Sequence, residues 1–373
     1  MKTRAALMFE QPGSWQVTEV ELEEPRQGEL MIRMVASGLC HSDDHLRSGD
    51  SPAPVLPVAG GHEGAAEVIQ VGPNTPGWEV GDHVVLSFLP VCGHCRMCAS
   101  GKANLCDLGR VMFTGSRPGD DNSFRMSLDG KPVAQMAGIS TLSEYSTIDT
   151  RSAIKVPQHV DLTKAVLLGC GVATGWGSVV NMADFTTGDV VIVMGVGGIG
   201  INAVQAAATS GASAVIAVDP VPFKQEQAKL FGATHAVATM EEAAEIVAPL
   251  TNGQGADATI VCVGVTDGDH MNAATESIRK GGTVVMTGLG YGPEGKGAAI
   301  NNTMLTVYQK RIQGALYGGF NPHWAIPHLW EQYERGNLML DELITRHYTL
   351  DQVNEGYADM LNGKNLRGVV VYD

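Results

Sequence analysis

Residues 190–220, VVIVMGVGGIGINAVQAAATSGASAVIAVDP, form the stretch that decides the fold. The first five residues are a continuous apolar run, as expected for a strand buried on both faces of a parallel sheet. The Ala-rich segment predicts a helix that ends at Gly211, and SAVIAVD predicts the next strand. This order of strand, turn, helix and strand predicts a doubly wound parallel sheet.

The same alternation continues for about 70 residues after this stretch. Further helices are predicted for FKQEQAKLFG, MEEAAEIVAPL and MNAATESIRKG, and further strands for HAVA, DATIVCVG and GTVVMTG. Apolar strands alternating with amphipathic helices are the pattern of repeated βαβ units. The sequence therefore predicts an α/β domain in this part of the chain.

The first third of the chain has the pattern of a β-rich domain. Short alternating segments such as ALMFE, WQVTEV and ELMIRMVAS are separated by Pro and Gly turns. The tail carries two helical patterns and a final strand, LRGVVVY, and we expect it to fold back onto the first domain. The expected domains are residues 1–171, residues 172–314, and the returning segment 315–373.

Residues 107–133 mix Gly, Asp, Arg and Pro without periodicity. This composition predicts a long surface loop. Loops of that length inside a compact domain are usually functional or mobile, and a solvated insertion is the other interpretation.

Composition and charge exclude several partners. The 373 residues are 44% hydrophobic and 17% charged, with a formal net charge of -15. Such an acidic chain is not expected to bind nucleic acid or an anionic membrane. It has no apolar run of signal-peptide length at its start and no unbroken apolar run of about 18 residues. These features predict a cytoplasmic protein, in which seven cysteines are more typical of metal ligands or buried thiols than of disulfides.

A glycine-rich turn follows the first strand of the α/β domain. Gly195, Gly197 and Gly200 match the spacing GxGxxG, and Asp219 follows 19 residues later at the end of the next strand. In this context the turn is typical of a dinucleotide site, whose backbone N–H groups hold a pyrophosphate. Asp219 would accept hydrogen bonds from the adenosine ribose and repel a 2′-phosphate, favouring NAD over NADP. The other interpretation is a structural turn with a solvated aspartate.

Four cysteines lie within fifteen residues. Cys92, Cys95, Cys98 and Cys106 supply four thiolates, which is the ligand set of a closed tetrahedral zinc site. A closed site leaves no position for substrate, so this zinc would be structural. A redox pair is the other interpretation, but it would need only two thiols.

A second ligand set is dispersed along the chain. Cys40, His62 and Cys170 offer thiolate, imidazole and thiolate, which are the ligands of a catalytic zinc whose fourth position is open. Taken singly, each of these residues is more often a satisfied core side chain. The polar residues around them favour the metal site.

The segment 38–45, GLCHSDDH, carries these polar groups. Asp43 could accept a hydrogen bond from the far nitrogen of His62, and Glu63 is adjacent to the same ligand. Ser42 and His45 could provide a route for a hydroxyl proton.

Together these motifs resemble a known family. GLCHSDDH, GHEGAAEV, the cysteine quartet, CGVATGWGSV, GVGGIG with its aspartate and NLRGVV are similar to the zinc-containing alcohol dehydrogenases of the medium-chain dehydrogenase/reductase superfamily. The similarity runs from the first strand to the last. Other segments resemble the actinobacterial nicotinoprotein branch, which depends on N,N-dimethyl-4-nitrosoaniline and keeps NAD(H) bound through turnover.

The resemblance implies a GroES-like catalytic domain, a Rossmann domain, bound NAD(H) and two zinc ions per chain. Cys40, His62 and Cys170 would bind the catalytic zinc, and the quartet would bind the structural zinc. Ser42 would take the alcohol proton and pass it through the nicotinamide ribose to His45 and then to solvent. Asp43 and Glu63 belong to the same expected catalytic set.

Other residues are assigned by the resemblance to the cofactor and substrate. Those expected to bind the cofactor are His41, Thr174, Gly195, Gly197, Gly198, Ile199, Gly200, Asp219, Lys224 and Arg367. Phe88 would line the substrate pocket. Arg110 matches an arginine of the glutathione-dependent formaldehyde dehydrogenases, which keeps an acidic thiol adduct among the possible substrates.

The expected enzyme interconverts an alcohol and its aldehyde or ketone, acts on small molecules, and forms a homodimer or homotetramer through residues 312–319. A formaldehyde dehydrogenase of the glutathione-dependent type and a zinc-free reductase of the same superfamily are alternatives. A non-catalytic binding protein on the same fold is a third.

Overall fold

The computed structural model describes residues 1–53, 55–290 and 300–373. The strands are β1 (Lys2–Met8), β2 (Gln16–Leu22), β3 (Glu29–Gly38), β4 (Val58–Ala59), β5 (Glu63–Val71), β6 (His83–Leu86), β7 (Met126–Leu128), β8 (Lys131–Gln135), β9 (Tyr145–Asp149), β10 (Ala153–Val156), β11 (Val190–Met194), β12 (Ala214–Val218), β13 (His235–Val237), β14 (Ala256–Val261), β15 (Val265–Thr266), β16 (Ile278–Met286), β17 (Leu289–Gly290), β18 (Arg311–Gly314), β19 (Ile344–Tyr348) and β20 (Arg367–Val371).

The α-helices are α1 (His41–Ser48), α2 (Arg96–Ala99), α3 (Val111–Thr114), α4 (Leu162–Ala165), α5 (Gly171–Val180), α6 (Gly200–Thr209), α7 (Pro222–Leu230), α8 (Met240–Leu250), α9 (Gly268–Ser277), α10 (Asn302–Val307), α11 (Pro322–Glu334) and α12 (Val353–Leu361). Short 3-10 helices cover Ala103–Leu105, Asp107–Arg110, Met136–Gly138, Thr150–Ser152, Val166–Gly169, Tyr317–Gly319, Asp341–Leu343 and Leu350–Gln352.

The chain folds into two compact units. The first comprises Met1–Cys170, Asn321–Arg335 and Leu340–Asp373, and the second comprises Gly171–Phe320 and Gly336–Met339. Chain segments from both ends of the sequence therefore meet in the first unit, whereas the second is almost continuous in sequence.

The second unit contains the predicted parallel sheet. Its strand order is β13-β12-β11-β14-β16-β18, and every neighbouring pair in it is parallel. Val190 and Ile192 of β11 pack with Ala243 and Val247 of α8, which gives this helix its buried face. The doubly wound α/β prediction is confirmed for this unit.

One helix boundary predicted in this unit is wrong. The helix expected over MNAATESIRKG ends at Ser277, and Ile278 begins β16. Ile278 is buried and pairs with Ala256 of the parallel neighbour β14. A β-branched residue suits this pleated, buried position better than another helical turn.

The first unit is β-rich, as expected for a GroES-like domain. A seven-stranded sheet has the order β10-β6-β5-β3-β20-β19, with β9 also paired to β3, and a closed barrel is formed by β1-β2-β7-β8-β4. The last strand, β20, runs antiparallel to β3 and parallel to β19. The end of the chain thus occupies an interior position of the sheet, and β3 is paired along both sides.

The prediction that residues 107–133 form a surface loop is wrong in its main point. The segment includes α3 and β7, and it carries two buried arginines, Arg117 and Arg125. Their Nε atoms both donate to Oε1 of Glu29, at 2.8 and 2.9 Å. This segment is held by an acidic partner from a distant strand, and the local composition gives no sign of that partner.

No single helix of the described ranges is both long and apolar enough to cross a membrane. The segments 162–169 and 171–180 satisfy that test only as a bent pair.

The Glu29 cluster predicts a large loss of stability from a small change. Glu29→Gln removes the buried charge that two arginines share, and we expect the free energy of unfolding to fall by about 3–5 kcal/mol in urea denaturation. Glu23 is the matched control because it also pairs with Arg117 but its side chain is 50% exposed, against 5% for Glu29. Glu23→Gln should cost about 1 kcal/mol or less.

The same cluster predicts a pH dependence. Burial raises the pKa of Glu29, but Arg125 and Arg117 outweigh it and hold the pKa below its usual value. The stability from this pairing is therefore present above the unfolded-state pKa and is lost as the pH falls through the lower folded-state pKa. The difference between the native protein and Glu29→Gln should shrink in acid, and equal losses for both glutamate variants at neutral pH would contradict this account.

Candidate functional site

The cysteine quartet has the dimensions of a zinc site. The ligand atoms of Cys92, Cys95, Cys98 and Cys106 all lie within 4.8 Å of one another, and the Sγ pairs 92/98 and 95/106 are each 3.9 Å apart. A tetrahedron of Zn–S bonds has edges of about 3.8 Å, whereas a disulfide needs about 2.05 Å between sulfurs. The spacing fits a four-thiolate metal site and not a disulfide pair.

The local backbone prepares this quartet to carry negative charge. The amide of Cys95 donates to Cys92 Sγ at 3.3 Å, and the amide of Cys92 donates to Cys106 Sγ at 3.3 Å. The amide of Cys98 at the start of α2 lowers the pKa of Cys95 to about 6, whereas burial raises the pKa of Cys106 to about 12. A bound cation would let all four ionise together.

The second ligand set lies in the interior of the first unit. One ligand atom from each of Cys40, His62, Glu63 and Cys170 lies within 4.8 Å of the others, and all four residues are buried. Cys40 precedes α1, His62 precedes β5, and Cys170 follows a short 3-10 helix. The structure thus brings together the three ligands predicted from the sequence, although 130 positions separate the two cysteines.

The two thiols of this set interact directly. A hydrogen bond from Cys170 holds the pKa of Cys40 well below its usual value despite burial, and the same bond with burial raises the pKa of Cys170. One sulfur is therefore poised as thiolate beside the other. Two sulfur donors and one imidazole form a soft, tetrahedral-type donor set that suits zinc.

His62 is oriented by Asp43. Nδ1 of His62 lies 3.0 Å from Asp43 Oδ2, while Oδ1 of the same carboxylate accepts the amide of Gly61 at 2.8 Å. Within the part of the chain that the structure describes, Nε2 of His62 is buried without a hydrogen-bond partner. Burial opposes a charged ring, but Asp43 and Cys40 raise the pKa of His62 well above its usual value. The ring thus turns Nε2 toward the sulfurs, as outer carboxylates arrange for zinc-bound imidazoles.

Glu63 and Arg367 form a buried ion pair beside the ligands. Burial raises the pKa of Glu63 to about 7, and the Arg367 charge opposes this rise. Gly38 passes close to both side chains, because a Cβ there would come within 2.2 Å of Glu63 Oε2. A role for Arg367 in binding the cofactor stays a prediction; the structure gives this guanidinium a carboxylate partner.

The expected proton-relay residues lie on α1. Ser42 Oγ lies 3.8 Å from Cys40 Sγ, which puts the hydroxyl next to the predicted ligand set. His45 is buried, its ring centroid is 6.3 Å from that of His41, and its Nδ1 lies 3.2 Å from Asp50 Oδ2. Asp50 is not among the residues predicted from the sequence, because it lies beyond the end of α1 and only the turn at Gly49 brings it back to His45.

The two predicted pocket residues have different surroundings. Phe88 packs edge-on against the His62 ring, with centroids 5.6 Å apart and planes at 90°, so it lies beside a predicted zinc ligand. Arg110 has a 70% exposed side chain, and its Nε and Nη2 both donate to Asp121. Its charge is already matched by a neighbouring carboxylate.

The glycine-rich turn of the second unit connects β11 to α6. Gly195 has a φ of +83°, and a Cβ on Gly200 would come within 1.8 Å of the Gly195 carbonyl oxygen, so the protein itself requires both glycines. A Cβ on Gly197 would meet nothing closer than Lys224 Nζ at 3.9 Å, and its φ is ordinary. The open space over Gly197 fits the close approach of a pyrophosphate.

Asp219 lies at the end of β12, next to this turn. Oδ2 accepts the amide of Val196 and Oδ1 accepts the amide of Val221, each at 3.0 Å, and Lys224 Nζ is 3.9 Å from Oδ2. A carboxylate has further lone pairs, so ribose hydroxyls can still donate to it. This arrangement fits the adenosine ribose of NAD.

Three more of the predicted cofactor residues belong to the second unit. The carbonyl of Gly198 accepts a bond from Asn202 at 2.8 Å, and Ile199 is the residue that precedes α6. Thr174 is buried on α5, and its carbonyl accepts the hydroxyl of Ser178 at 2.7 Å. A role for Thr174 in binding the cofactor stays a prediction.

Comparison with known proteins agrees with the motifs. Residues 26–158 match the model of the alcohol dehydrogenase GroES-like domain, and residues 198–334 match that of the zinc-binding dehydrogenase domain. The chain is 46% identical to the NDMA-dependent alcohol dehydrogenase of Amycolatopsis methanolica, covering 100% of this chain and 99% of that one. It belongs to the zinc-containing alcohol dehydrogenase family.

Two further relatives support this assignment over the whole chain. Alcohol dehydrogenase B of Mycobacterium tuberculosis (strain ATCC 25618 / H37Rv) is 44% identical, with 100% of this chain and 99% of the relative covered. The crystal structure of an alcohol dehydrogenase zinc-binding domain protein from Burkholderia ambifaria has a TM-score of 0.91 at 30% identity, covering 100% and 99% of the chains. The family resemblance inferred from the sequence is confirmed.

Metal analysis of matched variants tests the two ligand sets. The native protein should contain about two zinc ions per chain, and Cys170→Ser and Cys95→Ser should each contain about one because each removes one thiolate from a different set. Cys170→Ser should lose alcohol oxidation with little change in Tm, whereas Cys95→Ser should chiefly lower the Tm. If either variant kept both ions, the ligand set it belongs to would be wrongly assigned.

Proposed function

We propose that this enzyme oxidises an alcohol to an aldehyde or ketone, reversibly, with zinc held by Cys40, His62 and Cys170 and with NAD as hydride acceptor. One observation carries the proposal: three buried donors of the right chemistry converge, and Asp43 fixes the orientation of the imidazole among them. Three protein ligands leave the fourth zinc position to substrate, which is the arrangement of catalytic zinc sites.

The chemistry divides between the bound groups and the side chains. Bound zinc supplies a Lewis acid that eases loss of the hydroxyl proton, and NAD takes up the hydride. Ser42, 3.8 Å from the sulfur of Cys40, is close enough to the ligand set to accept that proton. His45 lies three residues further along the same helix, and we assign it the step that hands the proton on toward solvent. Asp43 holds the His62 ring throughout.

We also propose that NAD(H) stays bound through turnover. The support is similarity to a relative named NDMA-dependent, together with a complete set of dinucleotide features in the second unit. Asp219 favours NAD over NADP, because a 2′-phosphate would meet the negative charge of its carboxylate. An external acceptor would then reoxidise the cofactor in place.

The substrate is expected to be a neutral alcohol. A glutathione-type acidic adduct would need the free charge of Arg110, but Asp121 already engages this guanidinium through two donors. A zinc-free reductase would have no use for the convergent thiols at Cys40 and Cys170. A non-catalytic protein would not need Ser42 beside them.

We propose that the enzyme forms a homo-oligomer through the strand β18. This strand is at the edge of the six-stranded sheet, where its outer backbone groups can pair with a second copy. Whether the assembly is a dimer or a tetramer can be measured by light scattering.

Seven free cysteines, several of them in close clusters, support a reducing cytoplasmic location.

A single substitution tests the relay. Ser42→Ala removes the hydroxyl that accepts the alcohol proton, so kcat for alcohol oxidation at neutral pH should fall by roughly 10²–10⁴-fold while zinc content is unchanged. The assay uses a panel of primary alcohols with N,N-dimethyl-4-nitrosoaniline (NDMA) as the electron acceptor. Ser100→Ala is the control, because Ser100 is exposed and lies near the four-cysteine cluster Cys92–Cys106; this variant should keep full activity. Undiminished turnover by Ser42→Ala would refute the assignment.

Denaturation of the purified protein tests cofactor retention. About one NAD(H) per chain should be released from the native enzyme, and Gly197→Ala should release roughly tenfold less because its Cβ enters the pyrophosphate space. Gly109→Ala is the matched control, since a Cβ there also meets its nearest atom at 3.9 Å. Gly109→Ala should keep the native Tm, whereas Gly197→Ala should lose the part of the Tm that bound NAD(H) provides and should match the Tm of native protein stripped of NAD(H). A native preparation that is empty and turns over only with added NAD would contradict permanent binding.

A further inference from the structure

His45 has a carboxylate partner of its own. Nδ1 of His45 lies 3.2 Å from Oδ2 of Asp50, and the histidine side chain is only 6% exposed. Asp50 follows the end of α1, and its side chain is 29% exposed. A partly exposed carboxylate therefore contacts Nδ1 of a buried imidazole.

The position of Asp50 is fixed by the way the helix ends. Gly49 adopts a φ of +94° and its amide bonds the carbonyl of His45 at 3.2 Å, and the amide of Ser51 bonds the same carbonyl at 3.0 Å. Ser48 Oγ donates to Asp50 Oδ2 at 2.7 Å. Two features therefore hold the Asp50 carboxylate in place: the αL conformation of Gly49 at the end of α1, and the hydroxyl of Ser48. A carboxylate fixed in this way can determine which nitrogen of His45 carries the proton.

A carboxylate can only accept hydrogen bonds, and this property decides the histidine tautomer. The bonds from Ser48 and His45 hold the pKa of Asp50 below its usual value, so it is ionised near neutral pH. An ionised partner on Nδ1 requires that nitrogen to carry the proton. In the neutral ring Nε2 then carries the lone pair and is the only nitrogen able to accept a proton.

We propose that Asp50 is a positioning residue that holds His45 in the Nδ1–H tautomer, so that Nε2 is kept as the proton-accepting atom of the relay. When Nε2 takes up a proton the ring becomes an imidazolium whose positive charge faces the Asp50 carboxylate. When the proton leaves for solvent, the ring returns to the same tautomer without rotating. The effect of Asp50 on turnover rests on the proposed alcohol oxidation. The effect of Asp50 on the His45 tautomer does not depend on that proposal.

The neighbouring acid does not compete for this role. Asp44 is adjacent to His45 in sequence, but its carboxylate accepts Nε of Arg47 at 2.9 Å. His41 is the other titratable ring nearby, with its centroid 6.3 Å from that of His45. Asp50 is the carboxylate that the described residues place within hydrogen-bonding distance of the His45 ring.

Nitrogen NMR of the full-length enzyme labelled at histidine tests the tautomer. The His45 signals are assigned by their loss in His45→Gln, and the native ring should show a protonated Nδ1 and a bare Nε2. Asp50→Asn replaces an acceptor by an amide that can donate, so the signals should move toward the Nε2–H form. Asp44→Asn, which removes one charge from the same helix without touching His45, should leave them unchanged.

Kinetics of the same variants tests the link to the relay. Asp50→Asn should lower kcat for alcohol oxidation roughly tenfold in the native background, with zinc content unchanged, and should have no further effect in the His45→Gln background. Ser48→Ala should give a smaller loss in the same direction, because it loosens Asp50 without removing its charge.

The outcomes separate this inference from the proposed function. A native His45 in the Nε2–H form, equal NMR changes in the Asp50 and Asp44 variants, or an unreduced Asp50→Asn effect in the His45→Gln background would each overturn the role of Asp50. Failure of the native enzyme to oxidise any alcohol would overturn the proposed function instead, and the NMR result would still decide the tautomer.

Discussion

The carboxylate of Asp43 ties the two segments that build the predicted zinc site. It lies on α1, three residues after Cys40, and it accepts the amide of Gly61 while facing Nδ1 of His62. One buried group thus sets the helix that begins at a sulfur ligand against the loop that carries the imidazole ligand. Without it the amide and the ring nitrogen would lose their acceptor in the interior, at a cost of about 1–3 kcal/mol each.

The two predicted zinc sites are built by different means. The quartet draws its ligands from fifteen residues, and its geometry comes from local amides such as those of Cys92 and Cys95. The catalytic set joins Cys40 to Cys170 across 130 positions, so closing it costs more chain entropy and needs the strands between them in place. The geometry of the quartet is therefore set by local chain segments, whereas the geometry of the catalytic set requires the first unit to be folded.

This difference explains how far the sequence could be interpreted. Buried-strand runs, the glycine turn and the quartet are local patterns, and the parallel sheet that they predict is present. The surface-loop prediction for residues 107–133 is wrong because Arg117 and Arg125 are buried by pairing with Glu29 on a distant strand. Asp50 is not predicted from the sequence for a related reason: its position depends on the helix end that turns it back toward His45. Long-range partners and backbone reversals leave little trace in composition.

The last strand of the chain completes the electrostatics of the predicted site. Gly38 ends β3, Glu63 begins β5 and Arg367 begins β20, and the pairing register sets Gly38 opposite both Glu63 and Val369. The lack of a side chain at Gly38 lets the Arg367 guanidinium reach Glu63. The Cys40 thiolate and the Glu63 carboxylate would repel each other when buried together, and an arginine is the cation that stays charged in such surroundings. Because β20 pairs with β3 inside the sheet, the Arg367 guanidinium reaches Glu63 only when the C-terminal segment has folded back beside β3. The chemistry expected of Cys40 and His62 therefore depends on residues more than 300 positions away.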